Sequence, residues 1–377
     1  MQAGNDGHSS LDMARTNLRA GIIGLGYGRA HIPGCQAAGV EVTAVCQRQL
    51  EQATAVAQRY GVPKVFADWK ELVQLPELDI VVVATPPHLH RAIACRALEL
   101  GKHVLCEKPL ALDLDEAKAM VDAAKASGRV GMTAFNWRFP IAMQKLRELV
   151  GVGALGRLFH TYALWFGSRY ADPDAPASWR LDRSLAGTGT LGDMGVHLID
   201  LHRWLFGEFR RAGAQTGIAY PDRRTPDGGK PADAEDFCTV LAELESGAQV
   251  TIQLSRVARG HNLHALTAFG SQGAVSYRLL RDGGGPRWYR GELSFAQGKS
   301  GLQPMKLSGG LPRGIRPGEA IDTTGYATIT PLMREMVQAI KTGRPASPSF
   351  EDGMKAQAVV QAIQDAAATH MWVDMKE

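Results

Sequence analysis

The sequence has no long apolar run and no strong excess of one charge. Nowhere in its 377 residues do eighteen apolar residues follow one another, as a membrane-spanning helix requires. The net charge is +4, from 42 basic and 38 acidic residues, and no lysine or arginine cluster stands out. We therefore expect that the protein neither spans a membrane nor binds nucleic acids.

The sequence has few cysteines, and their spacing matches no known cysteine motif. The five cysteines form no C-x-x-C pair and fit neither a disulfide framework nor a zinc motif. We expect reduced thiols in a cytoplasmic protein. Residues 1–17 are polar and lack the apolar centre of a signal peptide, so we expect a disordered leader there.

Residues 18–136 alternate short apolar strands with helical segments, a pattern that predicts a doubly wound parallel sheet of the Rossmann type. The run "DIVVVAT" is continuously apolar, as a parallel strand buried on both faces should be. The predicted strands are 19–24, 41–46, 79–85, 102–107 and 129–135. The predicted helices are 29–38, 49–60, 89–100 and 115–127, the last with a capping signature at Asp113 and Glu116.

Residues 137–377 follow a different pattern, which predicts an α+β domain with a large, open, mainly antiparallel sheet. A helix over 141–150 precedes a long strand over 156–167, and several strands joined by turn-like "ESGA" and "GSQGA" follow residue 235. Two helices, about 328–341 and 350–370, close the chain, and the second is placed near the Rossmann domain. Residues 281–325 are rich in glycine, proline and arginine and carry no predicted element.

A glycine-rich loop connects the first strand to the first helix. In "GIIGLGYGRAH", Gly24 permits a tight turn and Gly26 lets the backbone approach a pyrophosphate at the helix N-terminus. The third position of G-x-G-x-x-G holds Arg29 instead of glycine. A plain turn would also contain these glycines. Between a strand and a helix, however, they favour dinucleotide binding, with Tyr27 and Gly28 in the same loop.

The end of the second strand bears on the choice of cofactor. NAD-binding domains commonly carry an acidic residue there, which binds the ribose hydroxyls. Here Gln47 and Arg48 follow the strand, and an arginine can bind a 2′-phosphate. The sequence therefore favours NADP over NAD, although Arg48 could also be an exposed residue at the start of a helix.

The stretch "HVLCEKPLA" ends a buried strand on Glu107, Lys108 and Pro109. The carboxyl ends of the strands in this fold line the ligand crevice, so a lysine there points toward a ligand. Proline fixes the backbone at this point and is the residue at which a cis peptide occurs. An ordinary surface lysine is the alternative interpretation of Lys108.

A second set of polar residues lies in "GTGTLGDMGVHLIDLHRWLFGE". Asp193 and His197 are four residues apart and so share one face of a helix, with Asp200 three residues further. A purely structural helix with His197 bonded in the core fits the same pattern. A metal site is a further possibility, but the spacing matches no zinc motif, and we expect none.

Together these stretches resemble the Gfo/Idh/MocA family of oxidoreductases, named for glucose–fructose oxidoreductase and inositol dehydrogenase. The matching segments are "GIIGLGYGRAHIPG", "VVVATPPHLH", "ALELGKHVLCEKPLA", "FNWRFP", "GDMGVHLIDLHRWLFG" and "FEDGMKAQAVVQAIQDA". They extend over nearly the whole chain, and E-K-P combined with D-x-x-x-H is the specific part of the match.

The resemblance implies NAD(P), a sugar-like or polyol substrate, and a homodimer or homotetramer formed through the C-terminal sheet. It implies catalytic roles for Lys108, Asp193 and His197. It places near the cofactor Thr85, Pro86, His90, Glu107, Lys108 and Asn136. Weaker candidates on the substrate side are Arg138, Tyr170, Trp179 and Arg180.

These residues lead to a hypothesis of hydride transfer between nicotinamide C4 and a sugar carbon. His197 acts as general base or acid, Lys108 stabilises charge on the substrate oxygen, and Asp193 orients Lys108 or a hydroxyl. A cofactor-binding sensor without activity is the competing class of protein, and an enzyme for another small substrate on the same scaffold is a second alternative.

Overall fold

A computed structural model describes residues 17–225, 231–280, 288–309 and 320–375. The predicted leader, apart from Asn17, lies outside the described residues, as do 281–287 and 310–319 of the segment without predicted elements.

The first part of the chain forms a parallel sheet with the strand order β3-β2-β1-β4-β5-β6. Strands β1–β6 are Arg19–Ile23, Glu41–Cys46, Lys64–Phe66, Ile80–Val83, His103–Cys106 and Gly131–Thr133. Helices α1–α5 are His31–Ala37, Leu50–Tyr60, Trp69–Val73, His90–Glu99 and Leu114–Ser127. The predicted Rossmann topology is confirmed.

Local signals set the ends of these helices. The Asp113 side chain accepts the Glu116 backbone N–H at the start of α5, as predicted. Gly61 and Gly128 end α2 and α5 with φ of 70° and 64°, a conformation that glycine adopts without strain. The sequence pattern missed β3 and α3. β3 has three half-exposed or exposed residues, and α3 has five residues, so neither carries a clear period.

The second sheet is mixed but mainly antiparallel, with the order β14-β13-β12-β11-β7-β10-β9-β8-β15 in the described part of the chain. Only β7 and β10, at its centre, run parallel among these pairs. The strands β7–β11 are Leu158–Phe166, Phe209–Gly217, Phe237–Leu244, Gln249–Ser255 and Leu263–Gly270. Strands β12–β15 are Gly273–Leu280, Glu292–Gln297, Gln303–Pro304 and Val373–Asp374.

Helices cover one face of this sheet and connect it to the first. Helices α6–α11 are Ile141–Gly151, Arg183–Ala186, Val196–Phe206, Ala320–Thr324, Thr330–Thr342 and Phe350–Thr369. A single π-helical turn precedes α8 at Leu191–Gly195, and another joins α9 to α10 at Gly325–Ile329.

The last two long helices both pack on the first core, and the second of them also reaches the second core. α10 buries Leu332, Met333 and Met336 with residues of the first sheet, although the sequence places this helix in the C-terminal domain. α11 starts with Phe350 in the first core and continues with Val360 and Ile363 in the second. α11 therefore contributes buried side chains to a cluster on the first sheet and to the cluster of the second sheet.

The five cysteines carry no disulfide, and four of them are buried. Burial raises the pKa of the Cys35 and Cys46 thiols to about 12, so they behave as small apolar side chains. Within the described ranges, no helix combines the length and apolarity needed to cross a membrane.

Candidate active site

The glycine loop lies where β1, β2 and β4 end. Gly24 has φ of +88°, and its N–H donates to the Cys46 carbonyl at the end of β2. A Cβ at Gly24 would stand 2.5 Å from the Ala84 carbonyl oxygen, so only glycine fits there. This turn brings the loop against the end of β4.

Gly26 and Gly28 divide the remaining roles of the loop. A Cβ on Gly26 would meet nothing within 4 Å, so this glycine serves no packing purpose and leaves its backbone open to a pyrophosphate. A Cβ on Gly28 would lie 2.9 Å from the Ala84 Cβ, so Gly28 allows the close helix–strand contact expected of the third glycine. Arg29 is exposed beside Gly28 and does not disturb this contact. Arginine at the third glycine position of the motif is therefore compatible with the loop, because Gly28 takes over the role of that glycine.

The end of β2 carries Gln47 and Arg48. The Gln47 side chain accepts the Leu25 backbone N–H at 3.2 Å and donates to Gln52, so Gln47 supports the loop itself. Arg48 is exposed at the same strand end. Its guanidinium is therefore accessible to an anion bound beside the loop.

His90 ties the ends of β4 and β5 together. Its Nε2 lies 2.9 Å from the Thr85 carbonyl, and its Nδ1 lies 3.0 Å from the Pro109 carbonyl and 3.2 Å from that of Leu110. Complete burial lowers the pKa of His90. His90 therefore holds the segments that follow β4 and β5 together beneath the crevice. The buried Thr85 hydroxyl has no hydrogen-bond partner among the described residues. That hydroxyl, with the open Gly26, fits a bound dinucleotide.

Lys108 and Asp193 meet across the boundary between the two sheets. The Lys108 Nζ donates to the Asp193 backbone carbonyl at 2.6 Å and lies 3.3 Å from its carboxylate Oδ1. Burial alone would raise the pKa of Asp193, but the nearby Lys108, Arg180 and Arg256 cations hold it well below its usual range. The Lys108–Pro109 peptide is cis, as the proline in the sequence permits.

The Asp193 turn is held by buried polar groups that no sequence motif distinguishes. The Glu235 carboxylate accepts the Gly189 and Leu191 N–H groups at 2.8 and 2.9 Å, and Thr188 Oγ1 accepts the Gly192 N–H. The turn is π-helical, so its backbone hydrogen bonds join residues five apart instead of four. Asp193 is therefore displaced from the position it would have in a regular helix leading into α8.

His197 lies in the first turn of α8, inside an aromatic enclosure. Its ring stacks on Trp165 at 5.5 Å between centroids and meets the edges of Phe135 and Trp137 at 6.0 and 6.4 Å. Only 4% of its surface is exposed. Within that enclosure, water has little access to the imidazole.

Two weaker substrate candidates have structural roles instead. Arg138 forms a buried two-pronged ion pair with Asp200 at 2.5 and 2.8 Å and also donates to Ser347, so the prediction that it faces the substrate is wrong. Tyr170 is 1% exposed and bonds to Ser178 in a small separate core, so its ring serves packing. Sequence alone cannot separate a buried arginine pair from an exposed one.

Trp179 and Arg180 remain beside the site. Arg180 Nε lies 3.4 Å from Asp193 Oδ1, and its guanidinium covers the half-buried Trp179 ring at 4.3 Å. Asn136 is buried and donates to Thr328 at 2.7 Å and to the Tyr27 hydroxyl at 3.4 Å. Asn136 thus connects the glycine loop to the segment before α10.

One buried residue of the site was missed altogether. His31, the first residue of α1, places its Nε2 2.8 Å from Glu107 Oε1, and the histidine is fully buried. A histidine at a helix start carries no pattern that would reveal a partner 76 residues later. Among the described residues, no group of three or more histidine, cysteine or acidic side chains could hold a metal ion.

Comparison with known proteins agrees with this geometry. Residues 18–135 match the family described as "Oxidoreductase family, NAD-binding Rossmann fold", and residues 143–276 match the "GFO/IDH/MocA C-terminal domain". Levoglucosan dehydrogenase of Pseudarthrobacter phenanthrenivorans is 31% identical over 96% of this chain and 99% of its own. Myo-inositol 2-dehydrogenase of Thermotoga maritima is 30% identical over 70% of this chain and 76% of its own.

Solved structures give the same result. Levoglucosan dehydrogenase in complex with NADH and levoglucosan superposes with a TM-score of 0.85 at 31% identity, covering 96% of this chain and all of that one. Aldose-aldose oxidoreductase of Caulobacter crescentus, complexed with glycerol, gives 0.78 at 26% identity, covering 95% and 99%.

Fold and site define a two-domain, NAD-binding oxidoreductase. The chain belongs to the Gfo/Idh/MocA family, as its E-K-P and D-x-x-x-H motifs indicated.

Proposed function

We propose that this protein is an NAD(P)-dependent dehydrogenase that transfers a hydride between nicotinamide C4 and a carbon of a sugar or polyol. The observation that carries this proposal is the contact of Lys108, which follows β5, with Asp193 in the turn before α8. Two relatives are named as dehydrogenases of levoglucosan and of myo-inositol, and these names support the proposed substrate class.

The three proposed catalytic side chains divide the work. The bound nicotinamide accepts or supplies the hydride. During oxidation, the His197 imidazole takes the hydroxyl proton, and during reduction it returns that proton. The Lys108 ammonium stabilises negative charge that develops on the substrate oxygen. Asp193, kept ionised by its cationic neighbours, holds Lys108 in place.

The aromatic enclosure of His197 supports this assignment. Trp137 and Trp165 are each only 4% exposed, and Trp165 stacks between His197 and His264, so these buried rings fix the position of the His197 imidazole. They also limit the access of water to the reacting atoms, which strengthens the electrostatic effect of Lys108.

We infer further that NADP is the preferred cofactor. Arg48 is exposed directly after β2, and neither of the two residues that follow the strand, Gln47 and Arg48, is acidic. The relative whose structure was solved with NADH shows that NAD serves that protein, so the two cofactors must be compared directly for this chain.

We propose that the active form is a cytoplasmic homo-oligomer assembled through the second sheet. The outer face of that sheet exposes Tyr162, Phe237 and Leu241 by 41–52%. Apolar surface of this extent on a sheet favours a subunit contact.

The test is a fluorescence titration with NADPH and with NADH, followed by a panel of sugars and polyols that includes levoglucosan and myo-inositol. Binding of a cofactor with turnover of any panel member is the expected result. Binding without turnover across the panel would favour a cofactor-binding sensor or another substrate class. Absence of binding would contradict the proposal at its first step.

A further inference from the structure

The pair of His31 and Glu107 connects two parts of the first domain that carry different functions. His31 begins α1, four residues after Tyr27 of the glycine loop, and the two rings meet edge to face at 6.2 Å between centroids. Glu107 follows the last residue of β5 and immediately precedes Lys108. The 2.8 Å contact between His31 Nε2 and Glu107 Oε1 joins them directly.

The connection continues beyond the pair without a break. Glu107 Oε2 lies 3.3 Å from the Lys108 backbone N–H, and Lys108 Nζ donates to Asp193 in the π-helical turn before α8. A chain of hydrogen bonds therefore runs from the helix that follows the glycine loop to the ammonium group. Each link after the first lies at the crevice.

Burial makes this pair costly unless its geometry serves a purpose. His31 is fully buried and Glu107 is 7% exposed, so both polar groups are removed from water. Two apolar side chains of similar volume would be at least as stabilising in such a place. His31 Nδ1 has no hydrogen-bond partner among the described residues, so the ring's polar contact is directed to Glu107 alone. What the pair provides is a fixed direction for the backbone at Lys108.

We propose that His31 is a positioning residue, which couples the glycine loop to Lys108 through Glu107. A dinucleotide bound at the loop then orders the Glu107–Lys108–Pro109 segment before the substrate arrives. The catalytic part of this inference rests on the proposed dehydrogenase function, whereas the ordering of the segment does not.

The matched variants are His31→Phe, which keeps a ring of similar size without the donor, and His31→Gln, whose amide can place an N–H near the position of Nε2. Glu107→Gln keeps an acceptor, and Glu107→Leu removes it. His103→Phe is the control, since His103 Nδ1 accepts the Val130 N–H at the opposite end of β5. This control shows how hydrogen exchange and kcat change when β5 is destabilised while the His31–Glu107 contact is kept.

Two measurements separate positioning from packing. The first is hydrogen–deuterium exchange of peptides covering residues 104–112, with and without NADPH or NADH. Cofactor should slow exchange in the wild type, in His31→Gln and in the control, but not in His31→Phe or Glu107→Leu. The second is the steady-state rate with the best substrate of the panel. For His31→Phe, kcat should fall about tenfold or more, because small misplacements of a catalytic group are costly, while the cofactor Kd changes less than about threefold.

The outcomes are distinct. Equal losses in His31→Phe and His31→Gln, or an unchanged exchange difference in His31→Phe that still binds cofactor, would overturn the proposal. A further fall in kcat when His31→Phe is added to Lys108→Ala would also overturn it, since a residue that acts through Lys108 has no effect without it. If no sugar is turned over, the dehydrogenase proposal fails, and the exchange experiment alone decides the role of His31.

Discussion

At the scale of single residues, the site depends on one ammonium group held by the opposite domain. Lys108 is 14% exposed and has Asp193 as its partner through both a backbone and a carboxylate oxygen. That geometry leaves the ammonium fixed in direction, which is the condition under which a charge stabilises a transition state well.

We expect Lys108→Ala to lower kcat by about a hundredfold or more, because the charge on the substrate oxygen then lacks its stabilising partner. The Kd of the cofactor should remain close to the wild-type value. Steady-state kinetics and a fluorescence titration measure these two quantities. Lys118→Ala, an exposed lysine on α5, should change neither. Near-normal turnover of Lys108→Ala would refute the catalytic assignment.

We expect the Arg48 side chain to set the preference between NADPH and NADH. Reversing its charge with Arg48→Glu should weaken NADPH binding by about tenfold or more and leave NADH binding nearly unchanged, because only NADPH carries the 2′-phosphate. Arg29→Glu, at an exposed position on the other side of the loop, is the matched comparison. Tighter binding of NADH than NADPH by the wild type would contradict the preference for NADP.

At the scale of elements, five of the six strands of the first sheet were predictable, and the clearest of them are continuous apolar runs because they are buried on both faces. Ile80–Val83 is such a run, and all of its residues are buried. The charged stretch after β5 was predictable for a related reason, since residues that directly follow a buried parallel strand lie at the edge of the sheet where ligands bind. The direction of Arg138 was not predictable, because its partner Asp200 is 62 residues away and the pairing depends on how α8 packs.

The π-helical turn at Leu191–Gly195 was also beyond prediction from the sequence. The four-residue spacing of Asp193 and His197 suggested one face of a regular helix, yet the wider turn sends Asp193 to Lys108 and His197 into the aromatic enclosure. Contacts of Glu235 with the turn, 44 and 46 residues along the chain, stabilise that conformation. Local propensity carries no information about them.

Helix α8 carries a second histidine with a consequence for stability. His202 is fully buried, with Nδ1 2.7 Å from the Leu198 carbonyl and Nε2 3.0 Å from the Thr161 hydroxyl. Burial lowers its pKa to about 4, so the folded protein keeps this ring neutral in mildly acidic solution. The unfolded chain takes up a proton at the ordinary histidine pKa, near 6.5.

Stability should therefore fall as the pH drops from 6.5 toward 4, because the unfolded state binds the extra proton. Between pH 8 and pH 5 the loss from His202 is roughly 2 kcal/mol. Urea unfolding at a series of pH values, compared between wild type and His202→Asn, measures it. The variant should be less stable at pH 8 and less dependent on pH below 6.5. Parallel curves for the two proteins would show that His202 does not contribute.

At the scale of the whole molecule, the chain returns to its first domain after completing its second. α10 packs on the Rossmann core, and Gly325 lies so close to α1 that a Cβ there would be 2.3 Å from the Ala30 carbonyl oxygen. A division at residue 136 follows the change of sequence pattern but not this packing. The glycine loop is consequently fixed from both sides, by β4 and by the segment before α10.

Among the described residues, part of the face of the second sheet opposite its helices is exposed. Across three neighbouring strands it presents a row of uncharged residues, with Leu241 paired to Thr251 and Thr251 to Tyr162, whereas Thr267 beside Tyr162 on the next strand is 3% exposed. Leu241 is 52% exposed and Tyr162 is 41% exposed. Such a contiguous apolar surface is uncommon on a monomer, and a second copy with the same flat face is complementary to it.

We expect the wild type to sediment as a dimer or tetramer and Leu241→Arg to shift toward the monomer, because the substitution buries an unpaired charge at the centre of the contact. Sedimentation velocity over a range of protein concentrations measures the distribution. Val152→Arg is the control, since Val152 is 79% exposed after α6 and lies off the sheet. Its distribution should match the wild type. A wild type that stays monomeric at every concentration would contradict the proposed assembly, while leaving the site within each chain unaffected.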